Sequence, residues 1–482
     1  MLFNSIDFAI FLPAVFIIYW FALGGKIKLQ NTFLAIASYV FYGFWDWRFL
    51  LLIFLSSTVD YTVGRLLKSN ENCTRRKILL WTSISFNISL LGFFKYYNFF
   101  VDSFVSTFTF FGQDIQDNTL DIILPIGISF YTFQTLSYTI DTYNRKLVPT
   151  TDFVAFSTFV SFFPQLVAGP IERATHLLPQ FLKKRTFNYL TAVDGLRQIL
   201  WGLFKKIVIA DNCAVFANEI FNNAGDMNSS ALILGPIFFA FQIYGDFSGY
   251  SDIAIGTSRL FGFNLSRNFN FPYFSRDIAE FWRKWHISLS TWFRDYLYIP
   301  LGGSRSSTFK KVRNVFIIFI VSGLWHGANW TFVAWGLLHS IYFLPLLLLN
   351  RNRNNTDVIS NEKLIPSLKV LISMGLTFGL TTFAWIFFRA ESLKGAFTYV
   401  SQMLSRSPFE TPNLFNLKKA GLTLFLMVVF IGVEWLGRKD QYATEKLGLT
   451  WKPVYRYFIY YAIVVAIIFL STGQQEFIYF QF

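Results

Sequence analysis

Charge, cysteine and histidine are all scarce in this 482-residue chain: 15% of residues are charged, two are cysteine and four are histidine. Cys73 and Cys213 stand far apart, without a CxxC pair or metal-ligand spacing, so neither a disulfide framework nor a zinc site is indicated. The Walker A pattern and the dinucleotide-binding glycine fingerprint are missing, which removes nucleotide-driven pumping and bound dinucleotide chemistry. A GxSxG elbow is also missing, so nothing marks an activated serine. The opening MLFNSID has no basic segment and carries Asp7, so the apolar run from Ile6 to Leu23 reads as a retained helix, not a signal peptide. The formal net charge of +14 is scattered through loops without a nucleic-acid module. It argues for attraction to anionic lipid and against a nucleic-acid partner.

What the chain does have is apolar surface. Hydrophobic residues make up 54%, aromatics 20% with 61 Phe, and mean hydropathy is +0.42. Apolar runs of about 18 residues, enough to cross the hydrocarbon core, begin near Ile6, Asn31, Phe49, Ile78, Ile122, Phe153, Tyr189, Leu232, Val315, Leu371, Leu422 and Val454. They predict an all-α polytopic membrane protein with about ten to twelve spanning or re-entrant helices. Lys26 and Lys28 follow the first run, and Arg65, Lys68, Arg75, Arg76 and Lys77 follow the third. By the positive-inside rule these loops are cytoplasmic and the N terminus lies outside. In the second half, Arg351, Arg353, Lys418, Lys419, Arg438 and Lys439 populate nearly every connection, and the rule loses its power there.

The centre of the chain differs in kind. Residues 244–263 and 268–305 concentrate Asp246, Asp252, Asp277, Glu280, Arg283, Lys284, His286, Arg294 and Asp295 among aromatic side chains. Such a mixture lines a wet cavity or lies in the interface, with Trp282, Trp285 and Trp292 as anchors. WRKWHISLSTWFRDYLY fits helical spacing through Trp285, Leu289, Trp292 and Tyr296, with Arg294 and Asp295 near the end and Pro300 to Gly303 as the stop. Farther on, VSGLWHGANWTFVAWGLLH (321–339) places His326 in an apolar, Trp-rich stretch. An imidazole at membrane depth needs to be neutral and partnered, which makes His326 a functional candidate; a histidine hydrogen-bonded between helices is the plainer alternative. Asp246 and Asp252 are candidates for positioning a base or for structural ion pairs with Arg259 or Arg283. His176 reads as a solvated loop residue, and His339, on a helix continuous with His326, as structural or interfacial. Trp325 and Trp330 are candidates for tunnel walls or for helix packing.

These residues carry a family resemblance. PIGISFYTFQ (125–134), PQLVAGPI (164–171), GDFSGYSDIAIG (245–256), NFNFPY (268–273), FWRKWHISLSTWFRDYLYIPLGG (281–303) and LWHG (324–327) resemble the membrane-bound O-acyltransferases, in the bacterial branch that contains the alginate O-acetylation enzyme. A teichoic-acid D-alanyl transferase is a more distant likeness. The resemblance implies a single domain over 1–482, with N-terminal helices at 1–120, a motif-bearing core at 121–345 and C-terminal helices at 346–482. It also implies a ring of helices around a funnel and tunnel, and a functional pair at His286 and His326. Trp325, Trp285, Asp295, Arg294, Asp246 and Asp252 are supporting candidates.

Acyl transfer from a thioester to an alcohol requires removal of the hydroxyl proton, and a neutral imidazole with a pKa near ~6.5 suits that task. His326 is assigned that role. His286 could orient the acceptor, polarise the thioester carbonyl or share the proton. No bound cofactor is expected; the donor is acetyl coenzyme A or an acyl carrier protein, and no metal is assigned. The resemblance implies a bacterial inner-membrane enzyme that acetylates an extracytoplasmic polysaccharide with the help of an SGNH-type acetyltransferase. Transfer of D-alanyl or another acyl group to an envelope polymer is the nearest alternative. A transporter is a rival from another class, weakened because the polar residues cluster in one region and no paired interrupted helices recur in two halves. A membrane scaffold would leave the two histidine segments unexplained.

Overall fold

The computed structural model describes all residues except 112–118, 168, 360–363, 406–407, 474 and 479–482. Its regular structure is helical: α1 Ile6–Ile17, α2 Ile27–Asp46, α3 Leu50–Ser69, α4 Cys73–Leu91, α5 Tyr97–Phe110, α6 Ile128–Tyr143, α7 Phe153–Ser161, α8 Phe163–Leu166, α9 Ala174–Phe181, α10 Tyr189–Leu203, α11 Asp211–Asn222, α12 Ser229–Leu260, α13 Ile278–Lys284, α14 Ile287–Phe293, α15 Thr308–His326, α16 Trp330–Leu348, α17 Leu368–Arg389, α18 Leu393–Ser405, α19 Leu417–Leu436 and α20 Pro453–Phe469. Helices are what lipid permits, because each backbone N–H and C=O finds its partner within the segment.

Among the described residues, six helical stretches are long and apolar enough to cross a membrane: Ile27–Ser69, Cys73–Phe110, Ser229–Leu260, Trp330–Leu348, Leu368–Arg389 and Leu417–Leu436. Ile6–Ala22 and Pro453–Phe469 are apolar but shorter. Exposed Ile, Leu, Val and Phe side chains on these helices, such as Phe425 and Val428 on α19, supply the lipid-facing surface. The chain is an all-α, multi-pass membrane protein. Two more of the expected runs also come out short. The run from Ile122 becomes helical only at Ile128, after Gly127 in the left-handed region (φ +77°). The run from Phe153 gives the nine-residue α7, which ends at Ser161, with Phe162 separating it from α8 and its Pro164.

Two compact units emerge: Met1–Ala192 with Thr257–Ser266, and Val193–Gly256 with Arg267–Phe482. In the first, the Tyr19 hydroxyl and the Trp20 indole donate to the carbonyls of Phe261 (3.1 Å) and Leu260 (2.9 Å), tying the 257–266 segment to the N-terminal helix. Its polar centre is Asp60 on α3, which accepts hydrogen bonds from Ser83 Oγ, from Asn87 Nδ2 at 2.9 Å and from Thr139 Oγ1 at 2.9 Å.

In the second unit, small residues let helices approach backbone to backbone. A Cβ on Gly323 would sit 2.1 Å from the Phe332 carbonyl oxygen, and one on Gly336 would sit 2.3 Å from that of Phe319. These paired approaches register α15 antiparallel to α16. The turn between them is written locally: Gly327 leaves the helix in an extended conformation, and Asn329 Oδ1 caps α16 by accepting from Thr331 N at 3.0 Å. His326 is therefore the last residue of α15, and His339 lies on the next helix instead of farther along the same one.

Candidate active site

The long polar motif is not one helix. Asp277 caps α13 by accepting from Glu280 N at 2.7 Å, while the Glu280 carboxylate accepts from Arg276 N at 2.7 Å, in the manner of a capping box. α13 stops at Lys284. His286 then adopts the left-handed conformation (φ +43°, ψ +56°), and α14 starts at Ile287. Helical spacing on either side concealed this break, because its cause is remote in sequence: the 268–270 segment pairs with it, with Ile287 N donating to Asn268 O (2.8 Å) and Asn270 N to Lys284 O (2.9 Å). The end of the motif follows expectation, with a wide turn over Arg294–Tyr298 before Pro300.

The break at His286 and the end of α15 meet. The His286 and His326 rings have centroids 6.4 Å apart, and both residues are buried, at 0% and 3% exposure. Trp325 stands against both, at 5.8 Å from His286 and 5.0 Å from His326. Phe247 meets His286 edge-on at 4.7 Å, and Trp335 and Phe388 each meet His326 at 5.3 Å. Apolar walls of this kind exclude water and strengthen whatever electrostatic interactions a substrate makes inside. Trp285, also buried, packs behind the pair on Trp385 at 5.2 Å.

The supporting candidates separate. Asp246 and Asp252 are buried on α12 and ion-paired, but to lysines and not to Arg259 or Arg283. Lys206 Nζ lies 2.8 Å from Asp246 and 2.9 Å from Asp211, and Lys205 Nζ lies 2.5 Å from Asp252. Arg283 donates instead to the Asn352 and Asn355 carbonyls, both at 2.7 Å. Ile478 N completes Asp246 at 2.7 Å, and Gln198 Nε2 donates to Asp252 at 2.8 Å. The two lysines occupy a widened helical turn, Phe204–Ala210, between α10 and α11. A ladder-breaking turn of this type recurs at functional sites. Arg294 and Asp295 pair with each other at 2.8 Å on a largely exposed face.

The remaining histidines have partners of their own. His339 is buried and receives the Trp282 indole N–H at 3.2 Å, the expected structural role. His176 is helical, on α9, and not in a loop; its Nδ1 is 2.8 Å from Glu172, whose hydrogen bond raises the imidazole pKa. Trp330 is 54% exposed. Cys73 is exposed and Cys213 buried, both as free thiols.

Four buried partners escaped the sequence reading: Lys205, Lys206, Glu434 and Asn268. The lysines had a signal, two charges inside the apolar run LWGLFKKIVIA, and so did Glu434 inside MVVFIGVEWLG. Glu434 accepts the Tyr244 hydroxyl at 2.5 Å, and a small cavity beside it is lined by Lys205, Ser251, Asp252, Arg267 and Asn268. Asn268 had no signal beyond its place in NFNFPY. Among the described residues, no group of three or more His, Cys, Asp or Glu side chains could hold a metal ion.

A pair of imidazoles buried at the meeting of a broken polar motif and an apolar helix is an arrangement for moving a proton during group transfer. The model of the membrane-bound O-acyltransferase family, MBOAT, matches residues 44–384, which include both histidines. The probable alginate O-acetylase AlgI of Pseudomonas aeruginosa is 39% identical over 445 residues, covering 90% of this chain and 82% of the relative. The peptidoglycan O-acetyltransferase of Helicobacter pylori is 33% identical over 528 aligned positions, covering 100% of this chain and 98% of the relative. The teichoic acid D-alanyltransferase of Streptococcus thermophilus is 30% identical over 246 residues, covering 47% and 57%. With the family model spanning most of the helices described above, the chain belongs to the membrane-bound O-acyltransferases and is an enzyme of O-acyl transfer.

Proposed function

We propose that the enzyme moves an acetyl group from a cytoplasmic thioester, on coenzyme A or an acyl carrier protein, to a hydroxyl of an extracytoplasmic polysaccharide. The hydroxyl oxygen attacks the thioester carbonyl carbon and its proton passes to His326. The C–O bond forms, the C–S bond breaks, and the departing sulfur takes up a proton. The observation that carries this reading is the buried His286–His326 pair with its apolar walls. Acetyl is favoured over D-alanyl because the relatives that align over most of this chain are named for O-acetylation, of alginate and of peptidoglycan, whereas the D-alanyl relative covers less than half of it. An alginate-type glycan is the first choice of acceptor.

The same reading places the enzyme in the bacterial inner membrane, with the N terminus outside and the basic 65–77 segment in the cytoplasm. Among the described residues, no stretch between helices approaches the ~100 residues of a typical domain. A separate SGNH-type acetyltransferase at the outer surface is therefore proposed to select the glycan. Purified enzyme in vesicles tests the whole scheme, with labelling of the exposed Cys73 by an impermeant maleimide in a Cys213→Ser background reporting which side its loop faces. Acetyl should reach the glycan only when the thioester is on the Cys73 side, and only when the partner is present opposite. Regiospecific acetylation without a partner would rule out an obligatory partner, and transfer with the thioester on the other side would reverse the direction.

A further inference from the structure

His286 sits at a helix break with a positive φ, a conformation that costs an L-residue energy unless its surroundings enforce it, although histidine tolerates it better than most. Asn268 is the residue that surrounds this break. It is fully buried, and its main chain receives the Ile287 N–H at 2.8 Å. Its side-chain Nδ2 donates to Ser251 Oγ on α12 at 3.2 Å, anchoring it to the helix that also carries Asp252. Its Oδ1 accepts from Ser288 Oγ at 2.9 Å and from the Ser288 backbone N–H at 3.3 Å.

The last of these contacts decides a proton. A backbone amide can only donate, so the Asn268 atom that it meets is the oxygen, and the orientation of the carboxamide is fixed. His286 Nδ1 lies 3.1 Å from that same oxygen. Two acceptors do not share a hydrogen bond, so Nδ1 must carry the hydrogen. In a neutral imidazole the other nitrogen, Nε2, is then an acceptor.

We infer that Asn268 is a positioning residue that holds His286 at the helix break as the Nδ1–H tautomer and so makes its Nε2 a hydrogen-bond acceptor. The inference rests on the reading of His286 as part of the transfer site and deepens it. Of the three services open to His286, polarising the thioester carbonyl requires an N–H donor at Nε2, and this tautomer has none there. His286 stands with His326 on the proton-accepting side of the reaction, holding or sharing the hydroxyl proton of the acceptor.

The tautomer is directly readable. Enzyme carrying ¹⁵N-labelled histidine, placed in bilayers and examined by solid-state NMR, gives separate signals for protonated and bare ring nitrogens; the His286→Gln spectrum identifies which belong to His286. Hydrogen on Nδ1 is expected, and hydrogen on Nε2 or an even mixture would overturn the inference. Asn268→Ala should lower kcat by roughly 10²-fold with KM for the thioester little changed. Asn268→Asp keeps an oxygen facing Nδ1 and should restore most of that loss. Wild-type kcat in a folded Asn268→Ala enzyme would also overturn the inference, and if that variant does not accumulate the wild-type spectrum decides alone. His286→Ala run in parallel keeps the two readings distinct. If it is active, the assignment of His286 to the site fails; if it is inactive while Asn268→Ala is normal, only the positioning role fails.

Discussion

Asp60 in the first unit and Asp246 in the second are both carboxylates buried within apolar helices, at 0% and 2% exposure, but they are satisfied in opposite ways. Asp60 is met by hydroxyls and a carboxamide from α4 and α6, neutral donors that return no charge. Asp246 faces the Lys206 ammonium, which also reaches Asp211. The first arrangement stitches three helices together and involves no second titratable group among those partners. The second sits in the unit that also holds the histidine pair, where lysines, carboxylates and imidazoles are gathered. Buried polarity alone therefore does not mark a site; the variety of proton-bearing groups in one place does.

The sharpest break in this comparison is at His326. His326→Ala should reduce acyl transfer by ~10²–10⁴-fold while abundance and thermal transition stay near wild type, since one imidazole adds little to the burial of so many apolar helices. A well-folded variant with full activity would refute its role as the base.

Lys206→Met should act on the fold before the chemistry. It leaves Asp246 and Asp211 buried without their shared cation, and breaking a buried pair in this way costs about 3–5 kcal/mol. The expected readout is a large fall in melting temperature or in monodisperse yield from membranes, partly recovered when both aspartates are replaced by Asn. An unchanged melting curve would show that the lysine is not the keystone of that unit.

Asp60→Asn is expected to be the mildest. The hydroxyls of Ser83 and Thr139 can turn to suit an amide, so the cost should stay near the ~1–3 kcal/mol of one imperfectly met buried group. Transfer rate per folded molecule should equal wild type. A loss of rate without loss of stability would mean that the first unit takes part in the chemistry, and the contrast drawn between the two carboxylates would collapse.

How much of this was legible in the sequence depends on whether a feature is local. The helical class follows from apolar runs, because lipid leaves the backbone no other partners. The end of α15 at Gly327 and the start of α16 after Asn329 are written in neighbouring residues, although the Trp-rich composition of 321–339 encouraged reading one continuous helix. The cap at Asp277 and the stop at Pro300 are likewise local. His286 and His326 stood out as scarce imidazoles in unusual company, and the motifs that contain them carried the family resemblance.

Composition and motif thus determined by themselves that this is a helical membrane protein of the acyltransferase kind, with two histidines worth singling out. Only the tertiary structure decided that the two rings meet, that Asp246 and Asp252 are answered by Lys206 and Lys205 instead of arginines, and that the polar motif breaks at His286. The reason is distance along the chain. Asn268 lies eighteen residues before the histidine it bonds, Lys206 lies forty residues before Asp246, and Glu434 lies 190 residues beyond Tyr244. Helical periodicity reports which face of a segment is apolar. The partner of a buried polar group is selected by which helices fold against it, and that choice is made in three dimensions.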